Sequence, residues 1–165
     1  MRNQRGFSII EIVIAIAVIA ILAGVSIPVY VSMKPVIRLN GATRQIMEDL
    51  MWARMQAINQ NNKFIIIYDN SKYKYSILDD DDNNGTCTAG AGESIITKYF
   101  RDDRDKLNPG KICGPYYDVT YSSSNANALI FHPRGNASNL TTITITNSSG
   151  TKTVSVAITG RVKKQ

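Results

Sequence analysis

The chain predicts an α+β fold: one long N-terminal helix packed on an antiparallel β domain. Three stretches carry that expectation. Phe7 to Val25 is apolar apart from Ser8 and Glu11. Between Arg38 and Asn61 apolar residues recur at helical spacing, and from Lys63 onward the apolar period falls to two. With 165 residues, the chain has room for the apolar segment and one domain of roughly 130 residues.

The first stretch is the length of a membrane span. Its nineteen residues would extend about 28 Å as a helix, close to the hydrocarbon thickness of a bilayer. Arg2 and Arg5 precede it without a neighbouring acid, so the positive-inside tendency holds the short N-terminus in the cytoplasm and sends residues after about 32 across. Glu11 is the anomaly, because a carboxylate inside a membrane helix costs about 2.5–3.5 kcal/mol on insertion scales. A cleaved secretory signal and a plain single-pass anchor each account for the basic start and apolar core, yet neither accounts for Glu11. The nearest approach to a small-x-small cleavage site is at Ile21 and Ala23. A glutamate that meets the α-amino group of a neighbouring subunit gains a buried ion pair, which makes Glu11 an assembly residue that sets register between packed helices.

Gly6-Phe7-Ser8-Ile9-Ile10-Glu11 resembles the class III signal of type IV pilins and type II secretion pseudopilins. The resemblance implies that prepilin peptidase cuts between Gly6 and Phe7 and methylates the new N-terminus, with Glu11 fifth in the mature chain. Residues 1–6 are then the leader, 7–34 the transmembrane and assembly helix, 35–62 an amphipathic extramembrane helix, and 63–165 a periplasmic β domain. The expected location is the bacterial inner membrane, in a single pass, and afterwards a pilus or pseudopilus. Other pilin or pseudopilin subunits are the expected partners.

Pro28 is expected to bend or locally melt the first helix, and Pro35 and Gly41 to loosen it again. Beyond them Ile46, Leu50, Ala53 and Ala57 form an apolar stripe, adjoined by Met47, Met51, Arg54 and Ile58. Asn59 to Asn62 end it. Phe64 to Tyr68 and the alternating Lys72 to Ile77 predict a hairpin turned at Asp69-Asn70-Ser71. Ser94–Phe100, Val119–Tyr121 and Leu129–Phe131 are weaker strand candidates. A second hairpin is expected from Thr142–Thr146 and Thr153–Thr159 around Asn147–Gly150, each arm with one apolar and one hydroxyl face. The helix entry, the strand pair, the aspartate-asparagine-glycine loop and a last hairpin ending in Gly160-Arg161-Val162-Lys163 together resemble the GspH/FimT family of minor pilins and pseudopilins.

The formal charge is +6, and loss of Arg2 and Arg5 with the leader leaves +4. Asp79 to Asp105 holds eight acids against Lys98, Arg101 and Arg104, whereas no acid follows Asp118. Such asymmetry points to a polyanion or an acidic partner at the basic end. There Gly160 can end a strand, and Arg161, Lys163 and Lys164 follow; in an extended chain Arg161 and Lys163 project to one side, where they suit neighbouring phosphates. A solvated basic tail is the plainer reading. In the FimT branch the family resemblance implies capture of double-stranded DNA through a Gly-Arg-x-Arg motif, matched here by Gly160, Arg161 and Lys163. The lysine keeps the charge but loses the bidentate fork.

Other constellations are weaker. Asp80, Asp82 and Asn84, with Gly85 sixth, open like an EF-hand loop, but Ala91 stands where the bidentate glutamate belongs. Either a solvated acidic turn or a weak calcium site is compatible with that. Cys87 and Cys113 follow the span and, if it crosses the membrane, see an oxidising compartment where a disulfide is expected; two free thiols are the alternative. The single histidine, His132, lacks any nucleophile-and-base arrangement around it in sequence, so an enzyme is not expected. No cofactor or resident metal is expected either.

Overall fold

The structure is a computed structural model that describes residues 8–69, 74–83, 95–99, 116–125 and 128–165. Ser8 begins the helix: its carbonyl accepts from the amides of Glu11 at 3.1 Å and Ile12 at 3.3 Å. Helix α1 spans Ile9–Gln60. It ends at Asn61, whose φ of 58° is the left-handed conformation that commonly closes a helix. Helical backbone continues through Pro28, Pro35 and Gly41, so the local melting expected there does not occur. Each proline removes one amide donor while the turns on either side keep theirs. At Pro35 the carbonyl also accepts from Asn147 Nδ2 at 2.7 Å.

The chain divides into two compact units, Met1–Lys34 and Pro35–Gln165. The second holds all eight strands: β1 (Lys63–Asp69), β2 (Lys74–Asp80), β3 (Ile95–Tyr99), β4 (Thr120–Ser123), β5 (Leu129–Phe131), β6 (Thr141–Asn147), β7 (Gly150–Val156) and β8 (Val162–Lys164). They form two four-stranded sheets of order β3-β2-β1-β5 and β4-β6-β7-β8, antiparallel throughout. The strand pairing of both predicted hairpins is present, with Ile65 opposite Leu78 in the first and Ile143 opposite Val154 in the second; Asn70, Ser71 and Lys72 of the first lie outside the described residues.

Ile46, Leu50, Ala53 and Ala57 are buried as their spacing predicts, and Leu39, Ala42 and Thr43 extend the same stripe toward the N-terminus. Ala42, Ala53 and Ala57 are small enough to let the sheets approach closely. Against them lie Phe64, Ile66, Ile77, Leu129, Phe131, Ile143, Ile145, Val154 and Val156 in one continuous core. At about 25 cal/mol per Å² of apolar surface removed from water, this core is the main source of the domain's stability. Thr43 is accommodated in it because its hydroxyl bonds the Leu39 carbonyl at 2.6 Å.

The last hairpin differs from expectation in its second arm, which stops at Val156 rather than Thr159. Ala157 to Gly160 form a turn, with Gly160 N donating to Ala157 O at 2.8 Å and Ala157 N to Arg161 O at 2.9 Å. Ile158, which alternates with Val154 and Val156 in the sequence and would face inward on a longer strand, is therefore 62 % exposed. The chain then reverses, and the expected basic tail is instead strand β8, paired to β7 through Val156–Val162, Ser155–Lys163 and Val154–Lys164.

Candidate functional site

Two regions carry the candidate residues. The first is the N-terminal part of α1. From Ile9 to Met33 nearly every side chain is exposed, Ile9 at 82 %, and this apolar surface is long enough to cross a membrane. Glu11 is its single acid and occupies the first helical turn, where unsatisfied amides and the helix dipole favour a negative charge. Ser8 followed three residues later by Glu11 has the spacing of a capping box, a local helix-start signal in the sequence that is independent of the membrane-length run.

The second region is the basic end. Gly160 sits at φ +77° against the carbonyl of Gly135, which accepts from Arg54 Nε of α1 at 2.8 Å. Arg161 follows Gly160 and lines a groove of about 280 Å³ with Met51, Arg54, Met55, Ile58 and Val162. Lys163 pairs with Ser155 and so lies on the sheet face opposite the buried Val154 and Val156. The chain here is a paired strand rather than a free tail, with Arg161 at the groove beside α1 and Lys163 on the outer face of the sheet. Lys164 shares the face of Val154 but is exposed; slight desolvation and the neighbouring Lys152 and Arg44 hold its ammonium below the usual lysine range.

The acidic turn is bound to β1. Asp80 is buried at the end of β2 opposite Lys63. Asn62 Nδ2 donates to Asp81 Oδ1 at 2.7 Å, and Lys63 N to Asn83 Oδ1 at 2.8 Å. Asp82 follows Asp81 on the exposed turn. Among the described residues no group of three or more potential ligands could hold a metal. Gly6, Phe7, Asn84, Cys87 and Cys113 lie outside the described residues. His132 begins the turn that Gly135 closes, their N–H to O=C bond being 2.8 Å.

An exposed apolar helix with one early acid, continuing into a helix packed on two antiparallel sheets, is the arrangement that the comparisons identify. The family model described as type II transport protein GspH matches residues 42–160. The chain belongs to the GspH family. The prokaryotic N-terminal methylation motif matches residues 1–27. Among solved structures, this GspH-family chain is similar in fold to the type IV minor pilin FimU of Pseudomonas aeruginosa, with 18 % identity and a TM-score of 0.51 over 76 % of this chain and 91 % of that one. It is likewise similar to the minor pseudopilin EpsH of the type 2 secretion system of Vibrio cholerae, with 12 % identity and a TM-score of 0.54 over 78 % and 96 %. No curated protein sequence matches it. The pilin-like α+β fold and the minor pilin or pseudopilin family read from the sequence both hold.

Proposed function

We propose that the chain is a membrane-anchored structural subunit of a type IV pilus or a type II secretion-like fibre. In this reading prepilin peptidase cuts after Gly6, the amino group of Phe7 is methylated, and the subunit enters the fibre through α1. The observation that carries it is an exposed apolar helix with Glu11 in its first turn, within the residues that match the N-terminal methylation motif. Assembly exchanges lipid around that helix for the helices of neighbouring subunits, and Glu11 meets the terminal amine of one of them. An unpaired carboxylate there is costly, so only one register relieves it.

Two substitutions test the reading separately. Glu11→Val is expected to remain processed and membrane-bound but to lose incorporation into fibres and co-purification with partner subunits. Wild-type assembly of that variant would remove the ion-pair mechanism. Gly6→Ala is expected to remain at precursor length, and normal processing would remove the class III assignment.

A second reading, binding of double-stranded DNA, is favoured by one observation: Lys163 and Lys164 lie on β8, at the edge of its sheet, in a segment without acids after Asp118. It predicts affinity that falls steeply with salt and with Arg161, Lys163 and Lys164 changed to alanine, because released counterions scale with phosphates neutralised. Absence of DNA retardation at low salt would exclude it.

A further inference from the structure

Lys152 and Lys164 come together on one face of the second sheet. Lys164 is opposite the fully buried Val154, and Lys152 lies two residues before Val154 on the same strand face, so the two ammonium groups are diagonal neighbours. Lys152 Nζ donates to Asn40 Oδ1 on α1, which holds it against the helix. Arg44, one turn after Asn40, adds a third cation and is bonded at 2.7 Å to Glu48. Among the described residues neither lysine forms an ion pair. Convergence of like charges is unfavourable, and an anion placed between them relieves it. The lowered proton affinity of the exposed Lys164, caused first by slight desolvation and then by Lys152 and Arg44, agrees with that crowding.

The position of the cluster along the chain selects the anion. Lys34 is the first ionised residue after Glu11, and Asn40 follows it by only six residues. Within the second unit, which begins at Pro35, Asn40 lies five residues along helix α1, a rise of about 8 Å, so the side chain that holds Lys152 is close to the end of the apolar segment. An anionic bilayer surface is thereby presented to the cluster at high effective concentration, and attraction between Lys or Arg and acidic lipids acts within about a Debye length of that surface. A DNA duplex gains no such tether, and Lys163 faces the other side of β8. We propose that Arg44, Lys152 and Lys164 form a docking face for the phosphate headgroups of anionic phospholipids, which holds the β domain against the bilayer until the subunit is drawn into a fibre. This rests on the membrane-anchored reading above.

The test uses the full-length chain reconstituted into vesicles of phosphatidylcholine alone or of phosphatidylcholine mixed with phosphatidylglycerol, with lysines acylated and quantified by mass spectrometry. Lys152 and Lys164 are expected to react several-fold more slowly in the phosphatidylglycerol vesicles. Lys163 should be unchanged, and added salt should abolish the difference. Equal rates in the two bilayers overturn the inference. So does protection that appears only when duplex DNA is added to phosphatidylcholine vesicles. In a second measurement, wild-type chain extracted in mild detergent is expected to retain phosphatidylglycerol above its bulk proportion and the Lys152→Gln, Lys164→Gln double variant is not; equal retention also overturns it. Extraction of the vesicles with alkaline carbonate separates the two levels: a released chain defeats the anchored reading and this inference together, whereas a retained chain with unprotected lysines defeats this inference alone.

Discussion

Arg54 on α1 and Gly135, 81 residues later, are joined by a 2.8 Å hydrogen bond from Nε to the carbonyl oxygen, and Gly160 lies directly over that bond. A Cβ on Gly160 would fall 1.9 Å from the Gly135 oxygen and 2.8 Å from Arg54 Nε. Backbone stands in the way, so the clash cannot be relieved by a side-chain rotation. Gly160→Ala is expected to destabilise the domain by more than about 2 kcal/mol in chemical denaturation. Gly150→Ala, at φ +146° with nothing within 4 Å, should cost only about 1 kcal/mol of backbone strain. Equal losses at the two positions would refute the steric account.

Arg38 and Asp118 form an ion pair at 3.2 Å, each side chain about a fifth exposed. The same Asp118 oxygen accepts from Asn147 Nδ2 at 3.4 Å, while Oδ1 is buried without a partner among the described residues. Arg38→Met strands that carboxylate and is expected to cost about 1–3 kcal/mol. Adding Asp118→Asn should restore part of the loss. A double-mutant cycle gives the coupling, and strict additivity would show that the pair contributes nothing.

Three tyrosines make the domain sensitive to base. Burial is the first cause that raises Tyr68, Tyr75 and Tyr121 above the ordinary value of 10.0. Asp49, hydrogen-bonded to the Tyr75 hydroxyl, adds to the shift there. Because the native state keeps protons that the unfolded chain releases, this contribution is intact below pH 10.0 and is lost as pH rises above it through the folded values. Unfolding midpoints in urea should therefore fall steadily in that window, and less steeply for Tyr75→Phe.

Tyr68 supplies the converse case, since its hydroxyl is buried with no hydrogen-bond partner among the described residues. Tyr68→Phe removes an unsatisfied polar group without changing the ring. It should be neutral or stabilising by up to about 1 kcal/mol at neutral pH. A loss of that size would mean the hydroxyl is satisfied in solution.

Lys164→Gln is expected to raise the thermal midpoint slightly at low salt, because it relieves repulsion from Lys152 and Arg44. The gain should vanish as salt screens the charges. Measured destabilisation at low salt would contradict the crowding of these cations.

The stripe Ile46, Leu50, Ala53, Ala57 and both hairpins were legible because helical and strand periodicities are local, and each residue's face follows from its neighbours. Leu39 and Ala42 continue the stripe at the same spacing, but the proline and glycine nearby obscured it. β8 was missed because Val162-Lys163-Lys164 is three residues long and basic, with neither length nor alternation to mark a strand. Only the left-handed turn at Gly160 and the waiting edge of β7 make it one.

By itself, the sequence determined the apolar helix, its early glutamate and the alternation that places Ile143, Ile145, Val154 and Val156 inward, since these depend on the order of residues and on the two periods of the backbone. Tertiary structure decided what depends on residues distant in sequence: the Arg54–Gly135 contact under Gly160, and the division of Arg161, Lys163 and Lys164 among different surfaces. The reason is steric and electrostatic. A paired strand fixes the face of every side chain, and in β8 it sets Lys164 beside Lys152 and Arg44 while Lys163 turns away.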